Sequence, residues 1–107
     1  MKKILVTGAG GTAAINFIRA IRDTGEKIYI VGTDCSKYYI HLAREVNKRF
    51  VVPRYSDTDY IKRLNEIIER EDIRFLHAQP DVEVGRISEG IEVLITKFMM
   101  YVAEAGI

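Results

Sequence analysis

The sequence predicts a doubly wound α/β domain, and three observations carry that prediction. Short runs of β-branched apolar residues alternate with longer stretches whose apolar residues recur at intervals of three and four. The runs are continuous rather than alternating, the habit of parallel strands covered on both faces. The first run empties into glycines, Gly8, Gly10 and Gly11, and a helical pattern begins at once.

Ile4, Leu5 and Val6 form the first strand. A helix then starts near Thr12 and buries Ile15, Phe17, Ile18 and Ile21, with Asn16, Arg19, Arg22 and Asp23 on its wet side. Gly25 falls where a left-handed residue closes a helix. Residues 28–31, Ile-Tyr-Ile-Val, form the second strand, which ends through Gly32, Thr33 and Asp34. Ser36 is placed to cap a second helix carrying Tyr39, Leu42, Ala43 and Val46, with Asn47 at its close. Phe50, Val51 and Val52 make a third strand that Pro53 stops.

Asp57 or Asp59 then caps a helix with Tyr60, Ile61, Leu64, Ile67 and Ile68 on one side. Lys62, Arg63, Glu66, Glu69, Arg70 and Glu71 give that helix an ordinary solvated face. Residues 73–78 read as a fourth strand, ending in the polar turn Gln79, Pro80 and Asp81. After Ser88 the residues Ile91, Leu94, Ile95, Phe98, Met99 and Val102 predict a last helix to about Ala105. Right-handed crossovers arrange the four parallel strands in the order 3-2-1-4, with helices on both faces as a three-layer domain. Every strand's carboxyl end then lies on one edge, where a ligand is expected.

One domain is expected over residues 1–107, with no linker or repeat. Lys and Arg number 16 against 15 Asp and Glu, so no strong field recommends a nucleic acid or an acidic membrane. The apolar run before the glycines is too short for a signal peptide core of about 7–15 residues, and a cytoplasmic chain is the default. Cys35, the only cysteine, forms no internal disulfide and offers no zinc cluster. With His41 and His77 the only histidines, no metal site is expected.

Gly8, Gly10 and Ala13 match the G-x-G-x-x-G/A fingerprint, in which small residues let backbone approach a pyrophosphate at a helix N-terminus. The same glycines serve equally to turn the chain after a first strand. Gly8, Gly10, Gly11 and Thr12 are therefore the candidate anion-accepting loop, facing Asp34 and Asp81 on the carboxyl edge. Asp34 stands where dinucleotide-binding domains keep the acid that holds a ribose hydroxyl, or else caps the following turn. Cys35 beside it is either a reactive thiol or a small buried filler. His77, at the end of strand four, is a candidate pocket-lining donor. Asp81 and Glu83, expected in a loop after that strand, either act on a substrate or form a solvated acidic loop. No catalytic residue is assigned.

Taken together, the segment Val6-Thr7-Gly8-Ala9-Gly10-Gly11-Thr12-Ala13-Ala14-Ile15-Asn16, then Val31-Gly32-Thr33-Asp34, Val52-Pro53, Asp59-Tyr60-Ile61 and Gln79-Pro80-Asp81-Val82-Glu83, resembles a known family. It is similar to the N-terminal, pre-ATP-grasp domain of carbamoyl-phosphate-synthase-like ATP-grasp ligases. The resemblance covers residues 1–89 and implies a Rossmann-like fold that helps build the site where an acceptor substrate meets an acyl phosphate. ATP and magnesium are implied only for the full-length family, whose ATP-grasp domain has no counterpart in these 107 residues. The chain is therefore expected to be inactive alone as a ligase, whether a split subunit, a truncated product or a shifted reading frame. Expected partners are a separate ATP-grasp subunit or a second copy docked through the last helix. The alternative is a small module binding NAD, another nucleotide or a partner. A short-chain dehydrogenase or epimerase also begins Thr-Gly-Ala-Gly-Gly, but its Tyr-x-x-x-Lys pair is missing here.

Overall fold

β1 (Lys2–Thr7) is the axis of a four-stranded parallel sheet, paired on one side with β2 (Ile28–Asp34) and on the other with β4 (Phe75–Ala78). β3 (Lys48–Val51) lies outside β2, which gives the expected order 3-2-1-4. The computed structural model describes residues 1–89; the helix expected over 91–105, and any dimer contact through it, lies outside the described residues. No helix among the described residues is long and apolar enough to cross a membrane.

The continuous apolar runs do what their pattern implies, sending alternate residues to two cores. Ile4, Val6 and Ile30 face α1 (Thr12–Asp23), where Ala14 and Ile18 meet them together with Ile40 and Val46. Leu5 and Val31 face α2 (Tyr60–Arg70), against Leu64, Ile67 and Ile68, and Ile87 of α3 (Asp81–Glu89) joins this second core. Each large side chain buried in this way contributes about 1.5–3 kcal/mol of apolar transfer energy, offset by the ordering of the chain.

Two helix ends close with a left-handed residue. Gly25 after α1 has φ +76° and donates to the Arg22 carbonyl. Asp72 after α2 adopts φ +54° so that the Ile73 N–H reaches Ile68 and its own N–H reaches Glu69. That turn spends Ile73 on closing the helix, which is why β4 begins at Phe75 rather than at residue 73.

The second helix expected from Ser36 is reduced to one 3-10 turn, Tyr39–Leu42. The Ser36 hydroxyl does accept from the N–H groups of Tyr38 and Tyr39, as a cap should. Ala43, with ψ +74°, then leaves the helix. Asn47 exchanges two 2.8 Å bonds with the Ile30 backbone, and the Arg22 guanidinium reaches the Glu45 carbonyl and the Asn47 side chain. These tertiary bonds extend the sheet beside β2 and overrule local helical periodicity.

The segment from Asp81, expected as a loop before a helix at residue 91, is itself helical. Pro80 at its start and Asp81 and Glu83 in its first turn are ordinary helix-start signals. Only Ile87 is buried among its side chains described here, so the segment lacks the apolar stripe that announces a helix.

Candidate functional site

A cavity of about 340 Å³ opens at the carboxyl edge of the sheet. Gly8 and Gly11 supply one wall, Asp34 and Cys35 the end of β2, and Pro80, Val82 and Glu83 the start of α3. Tyr39, Arg54 and Tyr55 stand around it from the two loops that flank β3. The topology dictates this meeting, because in a parallel sheet all strand-to-helix turns emerge at one edge.

The glycine loop is turned inward. The Ala9 N–H donates to the Thr33 carbonyl at 2.9 Å, the Gly11 N–H to the Gly8 carbonyl at 2.9 Å, and the Gly10 N–H to Asp34 Oδ2 at 3.0 Å. Asp34 Oδ1 accepts from the Ser36 N–H at 3.0 Å. The loop's nearest anion is thus the chain's own carboxylate, buried at 8% exposure. Sterically the loop is also closed. Gly8 has φ +61°, and a Cβ there would stand 2.5 Å from Pro80 Cγ. A Cβ on Gly10 would overlap the Tyr39 carbonyl. The close approach that Gly10 permits is therefore made by the Tyr39 backbone. The helix-start N–H groups of Thr12, Ala13 and Ala14 are the ones left without a carbonyl four residues back.

The opposite corner is chemically different. Tyr60, the first residue of α2, is wholly buried and donates its phenol hydroxyl to Glu83 Oε1 at 2.5 Å. Burial pushes the Tyr60 phenol well above its usual range, and Glu83, as acceptor and as nearby charge, pushes the same way. The Glu83 carboxyl is also raised. Burial is the main cause, countered by the Tyr60 bond, reinforced by the Asp34 charge and eased by the Thr7 hydroxyl that faces it. Thr7 and Thr33 sit side by side at the ends of β1 and β2, on the face that carries α2. Both are wholly buried and neither hydroxyl makes a hydrogen bond of good geometry.

Of the residues singled out in the sequence, Gly8, Gly11, Asp34 and Glu83 meet at the cavity. Gly10 lies behind it, bonded to Asp34. Thr12 and Asp81 are exposed helix-start residues outside the lining. Asp81 and Glu83 stand on a helix rather than in a loop. His77 is not a lining donor: its ring stacks on Phe17 at 3.9 Å on the α1 face, and Nε2 pairs with Gln79 Oε1 at 2.7 Å. Cys35 is exposed at the cavity, not a buried filler.

Arg54, Tyr55, Thr7 and the hydroxyl of Tyr60 carry no motif that marks them in the sequence. Tyr60 falls on the apolar stripe of its helix, and only its position at the first turn, where a polar tip reaches the sheet edge, distinguishes it from a core residue. Among the described residues no group of three or more His, Cys, Asp or Glu gathers for a metal ion.

Comparison with known proteins places the architecture. It is a Rossmann-like fold. The chain aligns with yeast methylglyoxal/isovaleraldehyde reductase solved with NADPH at a TM-score of 0.63 and 16% identity, over 94% of this chain and 34% of that one. Bacillus anthracis dTDP-glucose 4,6-dehydratase with NAD gives 0.56 and 15%, over 98% of this chain and 34% of that one. NAD+-bound xylitol dehydrogenase gives 0.56 and 21%, over 97% and 46%. The chain thus spans a third to a half of the length of these structures. No family model matches the sequence, and no curated protein does. At such identities the likeness extends to the fold alone.

Proposed function

We propose that this chain is a substrate-side Rossmann-like domain, of the kind that carbamoyl-phosphate-synthase-like ATP-grasp ligases set beside their ATP-binding domain. Its ligand would occupy the cavity between Asp34, Glu83 and Arg54, and ATP and magnesium would belong to an ATP-grasp partner. The observation that carries this reading is the occupied glycine loop. A dinucleotide cradle needs the backbone at Gly10 open to a pyrophosphate, whereas here the Tyr39 carbonyl lies against Gly10 and the Gly10 N–H is spent on Asp34. Asp34, in turn, has both oxygens engaged by backbone donors instead of standing clear for a ribose. As arranged, these residues do not fit a pyrophosphate lying across the loop.

A second reading, a nucleotide-binding module, draws its support from the fold comparisons, which favour it over a ligase domain. All three neighbours were solved with a nicotinamide dinucleotide bound. In that reading the Tyr39 turn swings away and the N–H groups of Thr12, Ala13 and Ala14 meet the phosphates.

Titration of the purified chain with NAD+, NADPH and ATP, followed by the amide NMR signals of residues 8–14, separates the two. The substrate-side reading expects those amides to stay in place at millimolar nucleotide, and no ADP release from magnesium-ATP by this chain alone. Tight dinucleotide binding that Thr12→Asp weakens, by placing a negative charge at the helix start, overturns it in favour of the nucleotide module.

A further inference from the structure

Three charged side chains at the cavity have no ion-pair partner among the described residues, and depth divides them by sign. Asp34 is buried, Glu83 is half-buried, and Arg54 is exposed. Glu83 Oε1 is taken by Tyr60, while Oε2 lies on the Gly8 side, 3.5 Å from where a Gly8 Cβ would stand. Thr7, wholly buried behind the lining, turns its hydroxyl toward the same carboxyl. The inner end of the cavity therefore offers Glu83 Oε2 with the Asp34 carboxylate beside it, two acids that no ion-paired cation among the described residues balances. An unmet buried acceptor costs free energy, and a carboxyl without a counter-charge costs more.

A primary ammonium answers this arrangement, since it brings a positive charge and N–H donors to two carboxyls that have no counter-charge. An anion is repelled by the two acids, and two carboxyls with a hydroxyl make a poor cage for a divalent ion. The guanidinium of Arg54 supplies the opposite preference at the outer end, where a carboxylate pairs with it in fork geometry. At about 340 Å³ the cavity is at the small end of the range for ligand sites. We infer that it takes a small zwitterion, an amino acid-like ligand, with the ammonium on Glu83 in the field of Asp34 and the carboxylate on Arg54. This rests on the reading that the cavity is a ligand site, but not on its being part of a ligase.

Propylamine, propionate, β-alanine and L-alanine form a matched probe set, titrated into the intact chain and read by calorimetry and by the amide signals of Gly8 and Cys35. An amino acid binds most tightly, propylamine more weakly and propionate most weakly. Glu83→Gln, which keeps the acceptor for Tyr60, weakens amine and amino acid roughly tenfold or more, the scale of a lost charge-assisted bond. Arg54→Met, at an exposed position, weakens the amino acids and propionate and leaves propylamine unchanged. Equal binding by parent and Glu83→Gln, propionate binding as tight as amino acid, or no response to any probe overturns the inference. Dinucleotide binding in the earlier titration would instead defeat the ligase reading, and the amine series would still be decided by Glu83→Gln.

Discussion

At the glycine loop the N–H groups of Ala9, Gly10 and Gly11 each find an acceptor inside the chain, whereas across the cavity Glu83 has one oxygen bonded by Tyr60 and the other met by no hydrogen bond of good geometry. Both regions stand at the carboxyl ends of parallel strands, and both are built from residue types that bind ligands. The loop has spent its donors on Thr33, Asp34 and its own Gly8 carbonyl. The Glu83 corner has kept its acceptors in reserve. A motif that is conspicuous in sequence can thus be absorbed into the fold, while the open chemistry arrives on residues that no short motif marks.

The largest expected effect breaks the closed side of this comparison. Gly10→Ala puts a methyl group onto the Tyr39 carbonyl, a backbone atom that yields only if its whole turn moves. A loss of about 3 kcal/mol or more in urea unfolding is expected. Gly11→Ala is the internal control, because its Cβ would meet only the Gly8 carbonyl at 3.3 Å and its φ is −83°. That change should cost under about 1 kcal/mol. Similar losses at the two positions would show that the loop is not sealed by Tyr39.

Asp34→Ala comes next. It removes the acceptor for the Gly10 and Ser36 N–H groups, and a loss of about 2–3 kcal/mol follows from two charge-assisted bonds, one of them buried. If those two bonds did not hold the loop, removing Asp34 would leave stability nearly unchanged, and the contrast between loop and corner would collapse.

How much of this was legible from the sequence follows the same division. Strand order, the α1 and α2 faces and the meeting of Gly8, Gly11, Asp34 and Glu83 on one edge all follow from periodicity and crossover geometry. The Tyr39 turn was not legible, because its shape is decided by Arg22 and Asn47, residues that lie on α1 and before β3. Nor was the phenol of Tyr60, since a stripe of apolar spacing does not say which ring carries its hydroxyl to a carboxyl. His77 was misread because the strand register sends it, with Val6, to the α1 face.

Tyr60→Phe tests the open side with a smaller effect. It keeps the ring in the core and removes only the donor to Glu83 Oε1, so about 1–2 kcal/mol should be lost. The titration of Glu83, followed by carboxyl NMR, should move further up, because the hydroxyl it loses favours the charged form. An unmoved titration would mean that the Tyr60 bond does not hold Glu83 in its present state.

The smallest effect, and the one that bears most directly on the reserve held at this corner, is the pH dependence that Glu83 imposes. Its folded-state pKa lies above its ordinary value of 4.5, mainly through burial. Below pH 4.5 the carboxyl is protonated in both folded and unfolded chains and contributes no difference. Between 4.5 and the raised folded value, the folded chain holds a proton that the unfolded chain has released. Stability from this group therefore falls as pH rises through that window and levels off above it. Glu83→Gln retains an oxygen for Tyr60 but cannot ionise, so urea midpoints of variant and parent should differ by a constant amount in acid. The difference should then grow in favour of glutamine toward neutral pH. An ammonium ligand at the floor should cancel that growth in the parent, since the ionised carboxyl then has its counter-charge. A difference that stays flat or reverses with rising pH would mean that Glu83 is already compensated within the fold, and the corner would hold nothing in reserve for a ligand.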